Sequence, residues 1–243
     1  MKKATLDAIR LHAVRAYPHE CCGLVIVERG RERYLECSNA ATGSDHFVLP
    51  ADEYAAAEDR GAVVAVVHSH PDSPAEPSEA DRVACEASGV AWHVVEVRRG
   101  DDGVVRPGAI ETIEPVGFQV PLVGRSFAHG VLDCYTLVRD WYRVEHEIVL
   151  PDFPRRDAWW EAGEDLYMQH YRAAGFVALQ GMEPVPERGD VILMQVRAPV
   201  PNHAGIYLGD GTMLHHLYDK LSSRDVYGGY WREVTRLVLR FEG

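Results

Sequence analysis

Near its middle the chain loses its apolar periodicity. Arg98 to Gly108 reads RRGDDGVVRPG, and a segment this rich in charge and glycine cannot serve as a buried strand or helix of one continuous core. A chain of 243 residues is long enough to build a core on each side of such a break. We therefore place a domain boundary at 98–120, with one domain over 1–105 and a second over 118–243.

The two sides are patterned differently. Residues 3–16 have helical spacing and end at Tyr17-Pro18. CCGLVIVE (21–28) and ERYLECSN (32–39) read as strands around an Arg29-Gly30-Arg31 turn, followed by a helix over 49–61. AVVAVVHSH (62–70) is a buried strand. Ser78 caps a helix over 79–88 that stops at Gly89, and VAWHVVEV (90–97) is a further strand. This alternation is α/β. In the second half, Asp133 caps a helix running to about 145, and another helix ends at Gly175. A turn then begins at Glu183 and leads to a strand. HAGIYLGDGTMLHHL reads as strand, Gly-Asp-Gly turn and strand, and EVTRLVLRFE is a last alternating strand. A helix feeding antiparallel strands is α+β.

Composition narrows the function. Acidic residues outnumber basic ones 37 to 25, and each half (1–110 and 111–243) carries −6 of the −12 total, so neither half offers the basic face that a phosphate backbone requires. We expect no nucleic-acid partner. No window approaches 18 uncharged apolar residues, and the amino-terminal stretch is an amphipathic helix rather than a leader, so no membrane insertion is expected. Five cysteines, two of them adjacent at 21–22 and none in a CxxC pair, suit neither a disulfide scaffold nor a thiolate zinc site.

Two constellations carry chemistry. The first is His68-Ser69-His70 with Asp81 eleven residues after His70. Histidines two apart on a strand project to one side, and the loop after them can fold back to bring in Asp81. Two imidazoles, a carboxylate and one open position suit catalytic Zn²⁺, which lowers the pKa of bound water and polarises a carbonyl. Glu20, ahead of the first strand, could act as general acid/base, and Ser78 could donate to an oxyanion. Spacing alone leaves open that the two histidines are ordinary surface residues.

The second constellation is Asp133-Cys134 at a helix start, with His203 and His215 on the arms of a hairpin. The first helical turn offers unpaired N–H groups and the positive end of the dipole, and both favour a thiolate. Cys134 as nucleophile, His203 as base and His215 as the orienting third group fit the general scheme of thiol catalysis. His216 rivals His215, because a register shift of one residue exchanges their faces.

The string H-x-H, ten residues, D, with S-x-x-D inside it and an upstream Glu, resembles the JAMM (MPN) metalloproteases over about residues 1–100. That resemblance implies a cytidine-deaminase-like sheet-and-helix fold, His68, His70 and Asp81 as zinc ligands, Glu20 as acid/base and Ser78 as oxyanion partner. The pattern D-C, H-A-G-I-Y-L-G-D-G, M-L-H resembles the papain-like NlpC/P60 cysteine peptidases over 118–243. It implies Cys134, His203 and His215 as the catalytic set, and cleavage of bacterial wall peptides beside diaminopimelate. Two departures stand out: Tyr135-Thr136 replaces the usual small residues after the cysteine, and Leu122–Phe127 replaces a tyrosine-containing segment. The fused arrangement resembles the tail tip assembly proteins of lambda-like phages. It implies phage tail tip proteins and peptidoglycan stem peptides as partners, with action in the host cytoplasm during assembly or at the virion tail tip. The alternatives are a non-catalytic assembly scaffold and a cellular enzyme that removes a ubiquitin-like modifier.

Other features are read more plainly. Trp159, Trp160, Tyr167, Tyr171 and Phe176 are expected as core or rim packing rather than as the lining of a sugar or peptide groove, and Tyr227–Trp231 could cover the thiol site as a mobile loop.

Overall fold

The computed structural model describes residues 1–41, 46–181 and 184–243. Glu183, at the head of the turn expected there, lies outside them. By its internal contacts the chain divides into two compact units, Met1–Gln119 and Val120–Gly243.

The first unit runs α1 (Lys3–Ala16), β1 (Cys22–Glu28), β2 (Arg31–Cys37), α2 (Ala51–Arg60), β3 (Ala62–Pro71), α3 (Glu79–Ser88), β4 (Ala91–Arg99) and β5 (Val105–Ile113). The strands form one sheet in the order β2-β1-β3-β4-β5. Only β3 and β4 are parallel, joined by α3 as crossover. Side-chain alternation sorts the core into two layers. Cys21, Val25, Ala65, Val67, Val95 and Val97 meet Ile9 and Ala13 of α1 on one face. Cys22, Leu24, Ile26, Val66 and Trp92 meet Ala57 of α2 and Cys85 of α3 on the other. His68 follows Val66 by two and so faces the α2–α3 side. Strand β5, to which the sequence reading assigned no element, is an edge strand paired only with β4 and mostly exposed. Pro107 within it needs no outward N–H, which is why this segment does not look like a strand.

The second unit runs α4 (Cys134–His146), α5 (Leu166–His170), β6 (Phe176–Ala178), β7 (Val191–Met194), β8 (His203–Gly209), β9 (Thr212–His215), β10 (Ser223–Val226), α6 (Tyr230–Val234) and β11 (Thr235–Phe241). The six strands form an antiparallel sheet, β10-β9-β8-β7-β11-β6. Leu137, Val138, Trp141 and Tyr142 of α4 bury one sheet face through Leu193, Ala204, Ile206 and Leu214. Ile192, Met194, Met213 and Val238 pack with Tyr227 on the opposite face. The units are thus an α/β domain and an α+β domain, as their patterning implied. The expected helix ending at Gly175 is only five residues long, and turns carry the chain from it to that glycine.

Candidate functional sites

In the first unit, three elements converge on one point. His68 and His70 stand two apart at the end of β3, so the pleat aims both toward α3. Ser78 caps α3 in a reciprocal capping box: its hydroxyl accepts from the Asp81 backbone N–H (3.1 Å), while the Asp81 carboxylate accepts from the Ser78 N–H (2.7 Å). That geometry turns Asp81 back toward the histidines. His68 Nε2 lies 3.1 Å from His70 Nε2 and 3.1 Å from Asp81 Oδ1, and His70 Nε2 lies 3.5 Å from Asp81 Oδ2. The three donor atoms all fall within 4.8 Å of one another.

This donor set fits a metal. His70 Nδ1 lies 3.0 Å from the Pro74 carbonyl and can donate to it, which leaves Nε2 as a lone pair aimed into the cluster. His68 is buried between Phe47 and Trp92, and its Nδ1 has no hydrogen-bond partner. Burial pushes its pKa down, keeping the imidazole neutral and able to ligate. Burial alone would raise the Asp81 carboxyl, but the adjoining His68 and His70 rings and the hydrogen bond from the Ser78 backbone outweigh it and hold the group ionised. His68, His70 and Asp81 could therefore coordinate a metal ion.

The other two predicted residues sit beside this cluster. Ser78 Oγ donates to Asp81 Oδ2 at 2.8 Å, so its one proton is committed to the candidate ligand. Glu20 is buried, and its charge helps raise the His70 pKa, although burial of that ring opposes the effect. Its neighbour Cys21 is tied to Ser69, the residue between the two histidines: the Cys21 N–H donates to Ser69 Oγ at 2.8 Å. Glu20 also lines a cavity of about 370 Å³ with His12, His19, Ser38 and Asn39.

In the second unit, Cys134 is the first residue of α4. Asp133 caps the helix in a box with Thr136 and forms a buried ion pair with Arg155, Nε to Oδ2 at 2.6 Å. Burial opposes ionisation of Asp133, but Arg155 and the Thr136 N–H win, bringing its pKa down to about 2. The thiol differs from the sequence expectation. Burial, followed by the Asp133 charge, raises the Cys134 pKa, against the lowering effect of hydrogen bonds from Tyr167 and the Ala204 backbone. A thiol shifted in that direction would need a base to act as a nucleophile.

The hairpin and the strand after it set two imidazoles and a carboxylate in sequence. His203 opens β8 and His215 closes β9, with His203 Nε2 2.9 Å from His215 Nδ1. His215 Nε2 in turn lies 2.9 Å from Asp225 Oδ2 on β10. The carboxylate accepts from His215 Nε2–H, so His215 Nδ1 accepts from His203 Nε2–H. His203 Nδ1 is then left as a lone pair. Burial and the adjacent His215 push the His203 pKa down to about 3, so that nitrogen is free to take a proton at neutral pH. Gly205 lies opposite His215 in the register, and a Cβ there would come within 3.1 Å of the His215 Cβ. The glycine of H-A-G is what lets the two rings meet.

Cys134 and His203 line one cavity of about 310 Å³ with Tyr135, Trp159, Leu193 and Tyr167. His216, the alternative to His215, instead faces the Lys220 carbonyl at 3.1 Å. Trp231 of the expected 227–231 loop belongs to α6 and packs its ring edge-on to His215 at 4.6 Å between centroids. Sequence reading missed Asp225 and gave Tyr167 only a packing role, whereas the Tyr167 hydroxyl lies 3.1 Å from Cys134 Sγ. Among the described residues no helix is long and apolar enough to cross a membrane.

Comparison with known proteins places both units. Residues 2–106 match the family described as prokaryotic homologs of the JAB domain, and residues 124–240 match the NlpC/P60 family. The chain is 42% identical over 245 residues to tail tip assembly protein K of Escherichia phage N15, covering 100% of this chain and 96% of that protein. It is 40% identical over 191 residues to tail tip assembly protein K of Escherichia phage lambda, covering 78% of this chain and 87% of that protein. With similarity along its whole length and a JAMM-type domain fused to an NlpC/P60 domain, the chain belongs to the phage tail tip assembly protein K family.

Proposed function

We propose that the chain is a two-site hydrolase of tail tip assembly: a zinc-dependent peptidase or isopeptidase acting on a tail protein, and a thiol peptidase acting on wall peptides beside diaminopimelate. The observation that carries the thiol half is the ordered chain His203–His215–Asp225, whose His203 lines the same cavity as the half-buried Cys134. As Sγ bonds to the scissile carbonyl carbon, its proton passes to His203 Nδ1, and His203⁺ then protonates the leaving amine. Water activated by the same imidazole cleaves the resulting thioester. His215 and Asp225 hold the base in the required tautomer and favour its transient positive charge.

The metal half rests on the convergence of His68, His70 and Asp81. Zn²⁺ bound there would supply Lewis-acid polarisation of a carbonyl and acidify water. Glu20 takes the proton of the attacking water and delivers it to the leaving nitrogen, and the Ser78 hydroxyl turns from Asp81 toward the developing oxyanion. The partners that fit are tail tip proteins and stem peptides, met in the host cytoplasm during assembly or at the virion tail tip.

The test is a digest of diaminopimelate-type sacculi and soluble muropeptides, read by mass spectrometry, with wild type, Cys134→Ala and Asp81→Ala side by side. The expected result is identical fragments from wild type and Asp81→Ala, and none from Cys134→Ala. If no variant releases a wall fragment, the wall reading fails and scaffolding becomes the better account.

A further inference from the structure

Tyr167 stands in an unusual relation to the nucleophile. Its hydroxyl lies 3.1 Å from Cys134 Sγ, the contact our sequence reading had no means of anticipating from residues 33 apart. Its ring meets Trp159 and Tyr135 edge-on, at centroid distances of 5.9 and 6.3 Å, and this packing fixes where the hydroxyl points. Burial raises its pKa well above the ordinary phenol value, with the neighbouring Cys134 adding to the effect, so the oxygen keeps its proton and remains a donor.

The sulfur needs such a donor. Its surroundings oppose charge, because burial and Asp133 both favour the thiol, whereas the hydrogen bond from Tyr167 favours the thiolate. When Sγ bonds to a carbonyl carbon, the carbonyl π electrons move onto oxygen. That oxygen is then separated from the sulfur by one carbon only. A hydroxyl already in contact with Sγ needs only a small swing to come within the roughly 2.7–3.1 Å that stabilises an oxyanion. The backbone N–H of Cys134 lies in the first turn of α4, where helix N–H groups lack intrahelical partners, and is a second donor for the same oxygen.

We infer that Tyr167 is a catalytic residue of the thiol centre, donating its phenolic hydrogen to Cys134 Sγ before attack and to the carbonyl oxygen during it. No proton leaves Tyr167 at any stage; the thiol proton goes to His203. The inference rests on Cys134 being the nucleophile proposed above.

The experiment uses the full chain and needs no natural substrate. The rate of Cys134 alkylation by iodoacetamide is followed against pH, with the modified peptide quantified by mass spectrometry. In parallel, the burst of p-nitrophenol released from p-nitrophenyl acetate is timed. Tyr167→Phe keeps the ring and removes the donor. It should move the alkylation midpoint up by about one pH unit, the size of one hydrogen bond to a charged group. It should also slow the burst by roughly 10- to 100-fold. Site-specific replacement of Tyr167 by 3-fluorotyrosine, a stronger donor of nearly the same shape, should move the midpoint down, and it keeps the test decisive if the Phe variant does not fold. Tyr17→Phe, in the first unit, is the control and should change neither readout, because the Tyr17 hydroxyl donates to Asp72. An unmoved midpoint, or an unmoved burst, in the Tyr167 variants overturns the inference while Cys134 stays reactive. A wild-type Cys134 that neither alkylates nor gives a burst overturns the nucleophile reading itself.

Discussion

Both candidate centres are built on a helix N-terminus closed by a capping box, and they use it in opposite ways. In the first unit the box Ser78-x-x-Asp81 contains a candidate ligand, so the cap is part of the site. In the second, the box Asp133-x-x-Thr136 only brackets Cys134, and Asp133 is neutralised by Arg155. The first centre brings together two imidazoles and a carboxylate that could coordinate a cation. The second links its polar groups to one another, thiol to tyrosine and imidazole to imidazole to carboxylate. Metal should therefore govern one centre and proton inventory the other.

The largest effects should fall on one centre at a time. Cys134→Ala should abolish ester and wall-peptide cleavage and leave zinc affinity, measured by calorimetry, unchanged. Asp81→Ala should weaken zinc binding at least 100-fold without touching the thiol burst, consistent with loss of one of three ligands. A variant that lost both would break the comparison.

Next in size is the response to zinc itself. Added Zn²⁺ at 100 times its dissociation constant should stabilise the first unit by about 2.7 kcal/mol. Chemical denaturation followed by hydrogen exchange, which reads each unit separately, should show no such gain in residues 120–243.

Acid should weaken the second unit. His203 and His216 have folded pKa values near 3 and 4 against an ordinary 6.5, each chiefly because of burial. The unfolded chain therefore takes up protons first. This stability is complete above about pH 6.5 and is lost as pH falls toward 4, at roughly 1–2 kcal/mol per imidazole between pH 7 and 5. Urea midpoints for residues 120–243 at the two pH values check the sign, and a rise on acidification would contradict the buried neutral pair.

The smallest expected change is at Asp225, whose carboxylate is partly exposed. Asp225→Asn should lower the thiol burst by about tenfold or less and shift its pH profile, since the amide can still orient His215 but cannot offset its charge.

Much of this was legible in the sequence because it depended on short-range chemistry. H-x-H on a strand, S-x-x-D and D-C at helix starts, and the H-A-G hairpin each fix geometry within a few residues. Asp225 was not legible: it lies on a four-residue edge strand with too few positions to show a period. The same holds for Tyr167 on its five-residue helix. The thiolate expectation failed for a different reason. The helix end was visible, but burial and the nearness of the Asp133 charge are properties of the folded domain.

The shared carboxylate of Asp81 would also couple helix fraying to ion occupancy. Opening the first turn of α3 releases Oδ2 from the Ser78 N–H, and the same carboxylate could coordinate an ion, so the two processes would draw on one group. The Asp81 amide, bonded to Ser78 Oγ, should then exchange with deuterium more slowly in zinc than in chelator. A single backbone hydrogen would serve as a built-in gauge of metal loading, readable without any substrate.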